Sequence, residues 1–275
     1  MTEVGELVGR GRTSNVYAYG TDSVLKVPHA GVPADWPEFE ALLTRAVGAQ
    51  GVAAPEMRDI VTHEGRAAVV FERIDGQSMW QQMLDRPHDV PALTRELAAI
   101  QKALLAVGIP HGIPELVDRL TRKIRAAARL SDTEKGEALT MATALPRGAA
   151  LLHGDMHPGN VLMSPSGPVV IDWFDATIGH PVADVLRSSL LMQPVADVSP
   201  WHLPGASAEV LSLMHHTYLG EFRRELDFAR DDLGRWQAVL AAARLAEGAD
   251  VNEDALVALW RSRHDEHIAD TLVVG

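Results

Sequence analysis

The chain has 275 residues, 47% of them apolar and 23% charged, which is enough for one large domain or two packed lobes. It contains no cysteine, which excludes disulfides, thiolate catalysis and cysteine-based zinc sites. The formal net charge of -12 repels a phosphate backbone, so nucleic acid is not an expected partner, and no apolar run is long enough to cross a bilayer.

Leu7-Val8, Val16 to Tyr19 and Val24 to Val27 are short β-prone runs separated by Gly, Asn and Asp turn signals. A helix follows, with Pro37 in its first turn and Gly48 at its end, and with Phe39, Leu42, Leu43, Ala46 and Val47 on one face. Met57 to Val61 and Ala67 to Glu72 predict a hairpin around His63-Glu64-Gly65-Arg66. Beyond it the pattern is mostly helical. Leu93, Leu97, Ile100 and Leu104 mark one amphipathic helix, and further helices are predicted over about 114–130, 132–144, 181–192, 207–228, 231–247 and 252–265. A short β-rich patch from Leu151 to Trp173 interrupts them. Strands first and helices later predict an α+β fold with its boundary near Ile74–Gly76: a small β-rich lobe over 1–75 and a larger, mostly helical lobe over 76–275. The opening residues Met1 to Glu6 carry acids where an export signal carries Lys or Arg, so the expected location is the cytoplasm.

The strongest chemical signal is His153-Gly154-Asp155-Met156-His157-Pro158-Gly159-Asn160, set between the apolar runs Ala150 to Leu152 and Val161 to Met163. The next apolar run, Val169 to Ile171, ends in Asp172-Trp173. An Asp, an Asn five residues later and an Asp twelve beyond that therefore fall in a strand-loop-strand-strand patch. Phosphoryl transfer needs a carboxylate to orient the attacking hydroxyl and accept its proton, and oxygen ligands to hold Mg²⁺ against the phosphates. Protein kinases use an Asp, an Asn five residues on and a later Asp in this order. Singly, each of these residues is ordinary turn chemistry; only the ordered set is specific.

His-Gly-Asp-x-His-Pro-x-Asn followed by Ile-Asp-Trp, and the continuation from Asp175 to Val185, resemble the aminoglycoside phosphotransferase and choline kinase group of kinase-like enzymes. The family usually has an Asp just before Pro181, where this chain has His180. The resemblance implies a bilobal protein-kinase-like fold. It makes Asp155 the catalytic base or the group that orients the hydroxyl, makes Asn160 and Asp172 Mg²⁺ ligands and has His153 brace the loop. It also brings His157 toward the γ-phosphate. Val24-Leu25-Lys26-Val27 looks like the strand that carries the phosphate-binding Lys of kinases. Of its two candidate partners, Glu38 and Glu40, periodicity decides neither; the family pattern of a Glu followed by a Leu-Leu pair favours Glu40. Upstream, Gly9, Gly11, Thr13 and Ser14 stand where a phosphate-covering loop is expected, although Ser14 replaces the third Gly of that loop. Val70 to Gly76 resembles the hinge that bonds the adenine edge, with Glu72 and Ile74 as its candidates.

The activity implied is transfer of the γ-phosphate of ATP, or GTP, to a hydroxyl of a small molecule such as an aminoglycoside, a sugar or an amino alcohol. No Ala-Pro-Glu motif follows Asp172 and a helix begins near Pro181, which leaves little room for a peptide-docking segment. The alternatives are a protein kinase of the same fold, a non-catalytic nucleotide-binding module and a Mg²⁺-dependent phosphohydrolase. Glu221, Glu225, Asp227, Asp231, Asp232, Glu247, Asp250, Glu253 and Asp254 suggest a pocket for a cationic acceptor. The interleaved Arg223, Arg224, Arg230, Arg235 and Arg244 make surface salt bridges on helices the simpler explanation of that pattern. Asp175 is a further candidate substrate contact. Trp173, Trp201, Trp236 and Trp260 are expected in the core rather than stacked on a sugar.

Overall fold

A computed structural model describes residues 3–108, 111–193, 203–223, 230–248 and 252–262. Trp201, Arg224, Glu225, Asp227, Asp250, positions 224–228 and 263–265 of two expected helices, and the side chains of Arg230 and Asp231 lie outside it.

Five antiparallel strands open the chain: β1 (Val4–Arg10), β2 (Ser14–Tyr19), β3 (Ser23–Pro28), β4 (Met57–His63) and β5 (Arg66–Glu72), in the order β1-β2-β3-β5-β4. The β4–β5 turn places Glu64 and Gly65 at φ 49° and 76°, the paired positive angles of a two-residue hairpin. Alternation along β3 buries Leu25 and Val27 on one face with Ala68 and Val70. Val24 and Lys26 therefore point to the opposite face, where α1 (Trp36–Gly48) covers Val69 and Phe71 through Ala41.

The face of α1 differs from the expected one. Leu42 is 51% exposed, whereas Glu40, Ala41, Leu43, Thr44 and Val47 are buried. Bringing Glu40 onto the strand-facing side turns Leu42 outward; the apolar pattern alone could not anticipate a buried acid.

The chain then passes through β6 (Gln77–Ser78), which pairs with β8 (Val161–Ser164), and β8 pairs with β9 (Gly167–Val170). At this junction Gly76 has φ 153°, and a Cβ there would collide with the carbonyl of Met163, so only glycine allows the approach. A helix absent from the sequence expectation, α2 (Met79–Asp85), follows; the Ser78 hydroxyl caps it by accepting the Gln81 N–H at 3.1 Å. Strands β7 (Ala150–Leu152) and β10 (Thr177–Gly179) form a separate antiparallel pair.

The remaining elements are α3 (Val90–Leu105), α4 (Leu116–Ala126), α5 (Asp132–Ala144), α6 (Pro181–Met192), α7 (Ala208–Phe222), α8 (Arg230–Arg244) and α9 (Glu253–Arg261). Helix α6 is the centre of this half, buried from Val182 to Met192 and packed against α7 and α8. Trp173, Trp236 and Trp260 are all buried in this core, as expected. The architecture is the expected bilobal, kinase-like α+β fold.

His215 of α7 meets Ser189 of α6 through Nε2 at 2.8 Å. Burial, aided by the neighbouring His216, pushes its pKa down to about 4. The unfolded chain binds that proton near 6.5. Stability from the neutral ring is therefore fully present above 6.5 and is lost as the pH falls toward 4. The expected loss is on the order of 3 kcal/mol across that window. Urea unfolding at pH 7.5 and pH 4.5 measures it, and His215→Gln should remove that share of the pH dependence.

Candidate active site

The loop after β7 is held by hydrogen bonds that few other residue types could make. His153 Nδ1 accepts the Asp155 N–H at 3.2 Å, so its Nε2–H donates to the Ile171 carbonyl at 3.0 Å. One ring thus ties the Asp155 loop to the strand end preceding Asp172. Asp184 of α6 accepts the N–H of His153 at 3.2 Å and that of Gly154 at 2.7 Å, and Gln101 of α3 donates to it at 2.9 Å. Gly154 has φ +79°, and a Cβ there would strike the carbonyl of Asp175. Asn160 Nδ2 donates to the Asp155 carbonyl at 2.9 Å and so sets the width of the loop.

The carboxylate of Asp155 faces Arg187 Nη2 at 3.1 Å, and its other oxygen lies 3.7 Å from His157 Nε2. His157 is buried, and its Nδ1 accepts the Gly159 N–H at 3.1 Å, which leaves the Nε2–H directed at Asp155. Asp172 sits in the left-handed region at φ 64°, ψ 63°. Such strained backbone is kept where surrounding structure over-determines it. It brings Asp172 Oδ1 within 3.1 Å of Lys26 Nζ, while Glu40 Oε1 approaches the same ammonium at 2.5 Å. Burial alone would lower the Lys26 pKa, but Asp172 and Glu40 outweigh it and raise it, so the ammonium stays charged.

These groups surround a cleft of about 730 Å³. Gly9, Gly11, Ser14 and Val16 line its roof, His157, Asn160, Ile171 and Asp172 its floor, and Glu72 to Asp75 its back. The Gly11 N–H donates to the Ser14 carbonyl at 2.8 Å, closing the turn of the roof loop. A second space of about 260 Å³ continues past Lys26, lined by Thr13, Asp155, Asp172 and Asp175 and by Arg12 and Glu247. Asp155, His157, Gly9, Gly11, Thr13, Ser14, Lys26, Glu40, Glu72, Ile74, Asn160, Asp172 and Asp175 all lie on these two spaces, while His153 braces the loop behind them.

Asp175 pairs with Arg119 and, at 3.3 Å, with Lys123 of α4. Burial would raise its pKa; the two cations outweigh that and hold it below the usual carboxylate range. The described acids of the last helices mostly form salt bridges, the simpler of the two readings of that pattern, rather than an acid-rich pocket. Among the described acids of that set, Glu247 alone lines the cleft. Glu221 faces Arg95 and Lys102, Asp232 faces Arg235, and Glu253 and Asp254 face Arg129. Asp232–Arg235 lies within one helix and the other pairs join different elements; all keep contact with water and so avoid the desolvation cost that an unpaired buried acid carries.

Sequence reasoning assigned no role to Arg119, Lys123, Asp184 or Arg187, and missed that Glu247 joins them. Glu247 Oε1 meets Arg187 Nη2 at 2.8 Å and Lys123 Nζ at 3.2 Å, and its backbone carbonyl accepts Arg12 Nη1 at 2.8 Å. The available signal was in α6: Asp184 and Arg187 are charged residues in an otherwise apolar or small-residue helix, so burial required partners for them. His180, standing where the resembling family has Asp, caps α6 by accepting the Val182 N–H on Nδ1 at 3.4 Å.

The sequence profile of the phosphotransferase enzyme family (APH) matches residues 5–200. The chain belongs to this family. Solved structures agree in fold. The apo form of a thermostable mutant of the aminoglycoside phosphotransferase APH(4)-Ia superposes with a TM-score of 0.60 at 21% identity, covering 98% of this chain and 94% of that one. A further mutant of that enzyme, in ternary complex with ADP and hygromycin B, gives 0.62 at 18% identity over 98% and 94% of the two chains. A choline/ethanolamine kinase family protein from Mesorhizobium loti gives 0.55 at 17% identity over 99% and 88%. Comparison with curated protein sequences finds no match.

Proposed function

We propose that this phosphotransferase moves the γ-phosphate of ATP, or of GTP, onto a hydroxyl of a small molecule. The observation that carries the reading is the convergence of Lys26, Asp172, Asn160 and Asp155 on one continuous cleft. Residues 1–75 bind the nucleotide: the backbone of Glu72 and Ile74 takes the base edge, the Gly9–Ser14 loop covers the phosphates, and Lys26, held by Glu40, contacts them. Residues 76–275 supply the catalytic loop and the acceptor pocket. Asp155 accepts the proton of the acceptor hydroxyl as its oxygen attacks the γ-phosphorus and the bond to the β,γ-bridging oxygen breaks. His157 Nε2–H faces the same point and is placed to donate to a transferring phosphoryl oxygen.

The donor set suits Mg²⁺, which takes one or two carboxylates together with phosphate oxygens and water. Asp172 offers a carboxylate, and Asn160, whose NH₂ is used by the Asp155 carbonyl, offers its amide oxygen. A bound Mg²⁺ would neutralise charge on the phosphate oxygens. Only eight residues separate Asp172 from α6 at Pro181, which favours a small acceptor over a docked peptide. The proposed location is the cytoplasm.

ADP release from Mg-ATP across a panel of hydroxylated small molecules and one protein acceptor tests the reading. Release stimulated by a small molecule supports it; release only with protein, or independent of any acceptor, overturns it. Glu40→Gln is expected to raise KM for ATP about tenfold, because it removes the closer of two charge-assisted partners of Lys26 and leaves Asp172 pulled toward it. Steady-state kinetics with varied ATP at saturating acceptor measures this, with acceptor KM expected to change less.

A further inference from the structure

Behind the Asp155 loop, between α4, α6 and α8, lies a smaller cavity of about 40 Å³. It shares Arg119, Lys123, Asp175 and Glu247 with the wall of the cleft, so the two spaces adjoin. Such a volume holds a few water molecules or the head of one anionic group. Among the described residues, three polar atoms of its lining have no hydrogen-bond partner: Nε of Arg119, Nε of Arg244 and Oγ1 of Thr177. The carboxylate oxygen Oε2 of Glu247 lies 3.6 Å from Arg244 Nε, outside bonding range. All three residues are more than nine-tenths buried. Both Nε atoms are obligate donors and the hydroxyl donates as well as accepts, so what is missing is a hydrogen-bond acceptor. Buried donors are rarely left without one.

Charge points the same way. Four cations, Arg119, Lys123, Arg187 and Arg244, line the cavity against three carboxylates, Asp175, Asp184 and Glu247, and a fourth carboxylate, Asp155, meets Arg187 from the side of the cleft. Asp184 is turned to the backbone amides of His153 and Gly154 and to Gln101. Burial first, and then the neighbouring Arg187 cation, push the pKa of Arg244 down to about 10, against the opposing pull of Glu247 and Asp155.

We infer that this cavity is an anion subsite for the acceptor: the molecule phosphorylated here is a hydroxylated compound bearing a carboxylate or phosphate group, which Arg119, Lys123 and Arg244 hold while its hydroxyl lies at Asp155. The inference rests on the phosphotransfer reading above and specifies its substrate class. A polycationic acceptor would bring its ammonium groups against these cations, and each described carboxylate on that wall is already engaged.

The test is a titration of the whole protein, saturated with Mg²⁺ and a non-hydrolysable ATP analogue so that the phosphate-binding loop is filled. Orthophosphate and acetate are added separately, and the Nε–H resonances of Arg119 and Arg244 are followed by ¹⁵N-edited NMR. The expected result is a saturable shift of both signals with at least one anion, with the tighter of the two naming the group, and about tenfold weaker binding in Lys123→Ala. The inference is overturned if neither anion moves the signals, if Lys123→Ala binds as well as the parent, or if an aminoglycoside is turned over with higher kcat/KM than every hydroxy acid and sugar phosphate. Failure of the phosphotransfer reading is seen separately, as the absence of acceptor-stimulated ADP release from Mg-ATP with every compound of the panel.

Discussion

Asp155→Asn is expected to lower kcat about a thousandfold while leaving the nucleotide Kd within about threefold. The substitution keeps the shape of the side chain and removes its capacity to take a proton. The loop should survive it, because its bracing bonds run through other atoms. His153 accepts the Asp155 N–H, Asn160 donates to the Asp155 carbonyl, and Asp184 accepts two backbone amides. The Asn carbonyl oxygen can still face Arg187, and Arg187 keeps Glu247. The nucleotide contacts assigned to Lys26, the Gly9–Ser14 loop and Asp172 do not pass through the Asp155 carboxylate. The predicted signature is therefore a loss in kcat with binding preserved, read from single-turnover kinetics and equilibrium nucleotide binding. A kcat within tenfold of the parent would remove Asp155 from the base role.

What was legible in the sequence follows from how far apart the cooperating residues lie. Asp155, Asn160 and Asp172 sit within 18 consecutive residues, and their spacing alone set them around one loop. Lys26 was legible as the polar position in an apolar strand, because alternation turns it away from Leu25 and Val27. The choice between Glu38 and Glu40 was not settled by periodicity, since it depends on how α1 is turned against the sheet, a tertiary fact that also turned Leu42 outward. Most remote from the sequence was the Arg187–Glu247 pair, two residues 60 positions apart whose meeting requires α6 and the turn after α8 to be packed together. Glu221, Asp232, Glu247, Glu253 and Asp254 read alike as letters; burial distinguishes Glu247 among them, and burial is set by packing rather than by local composition.

That pair carries the second large effect. Arg187→Ala is expected to destabilise the fold by about 3–5 kcal/mol, the range for removing one partner of a buried ion pair. The Arg187 and Glu247 side chains are each 8% exposed, so water cannot replace the lost contact. Burial would lower the Arg187 pKa, yet Glu247 and Asp155 outweigh it and raise it; deleting the cation removes that compensation from both carboxylates. Arg187 Nε also donates to the Gly154 carbonyl at 3.1 Å, so the Asp155 loop loses an anchor and kcat should fall with stability. Urea unfolding at neutral pH, with an unchanged slope, measures the first effect. Adding Glu247→Gln to Arg187→Ala should restore at least about 1 kcal/mol relative to the sum of the single changes, because the uncompensated acid is then gone. Arg129→Ala is the control: its pairs with Glu253 and Asp254 are solvent-exposed, and its loss should cost less than about 1 kcal/mol. If Arg187→Ala cost no more than that control, the buried network would be incidental to the fold, and Asp155 would have to be held by its backbone bonds alone.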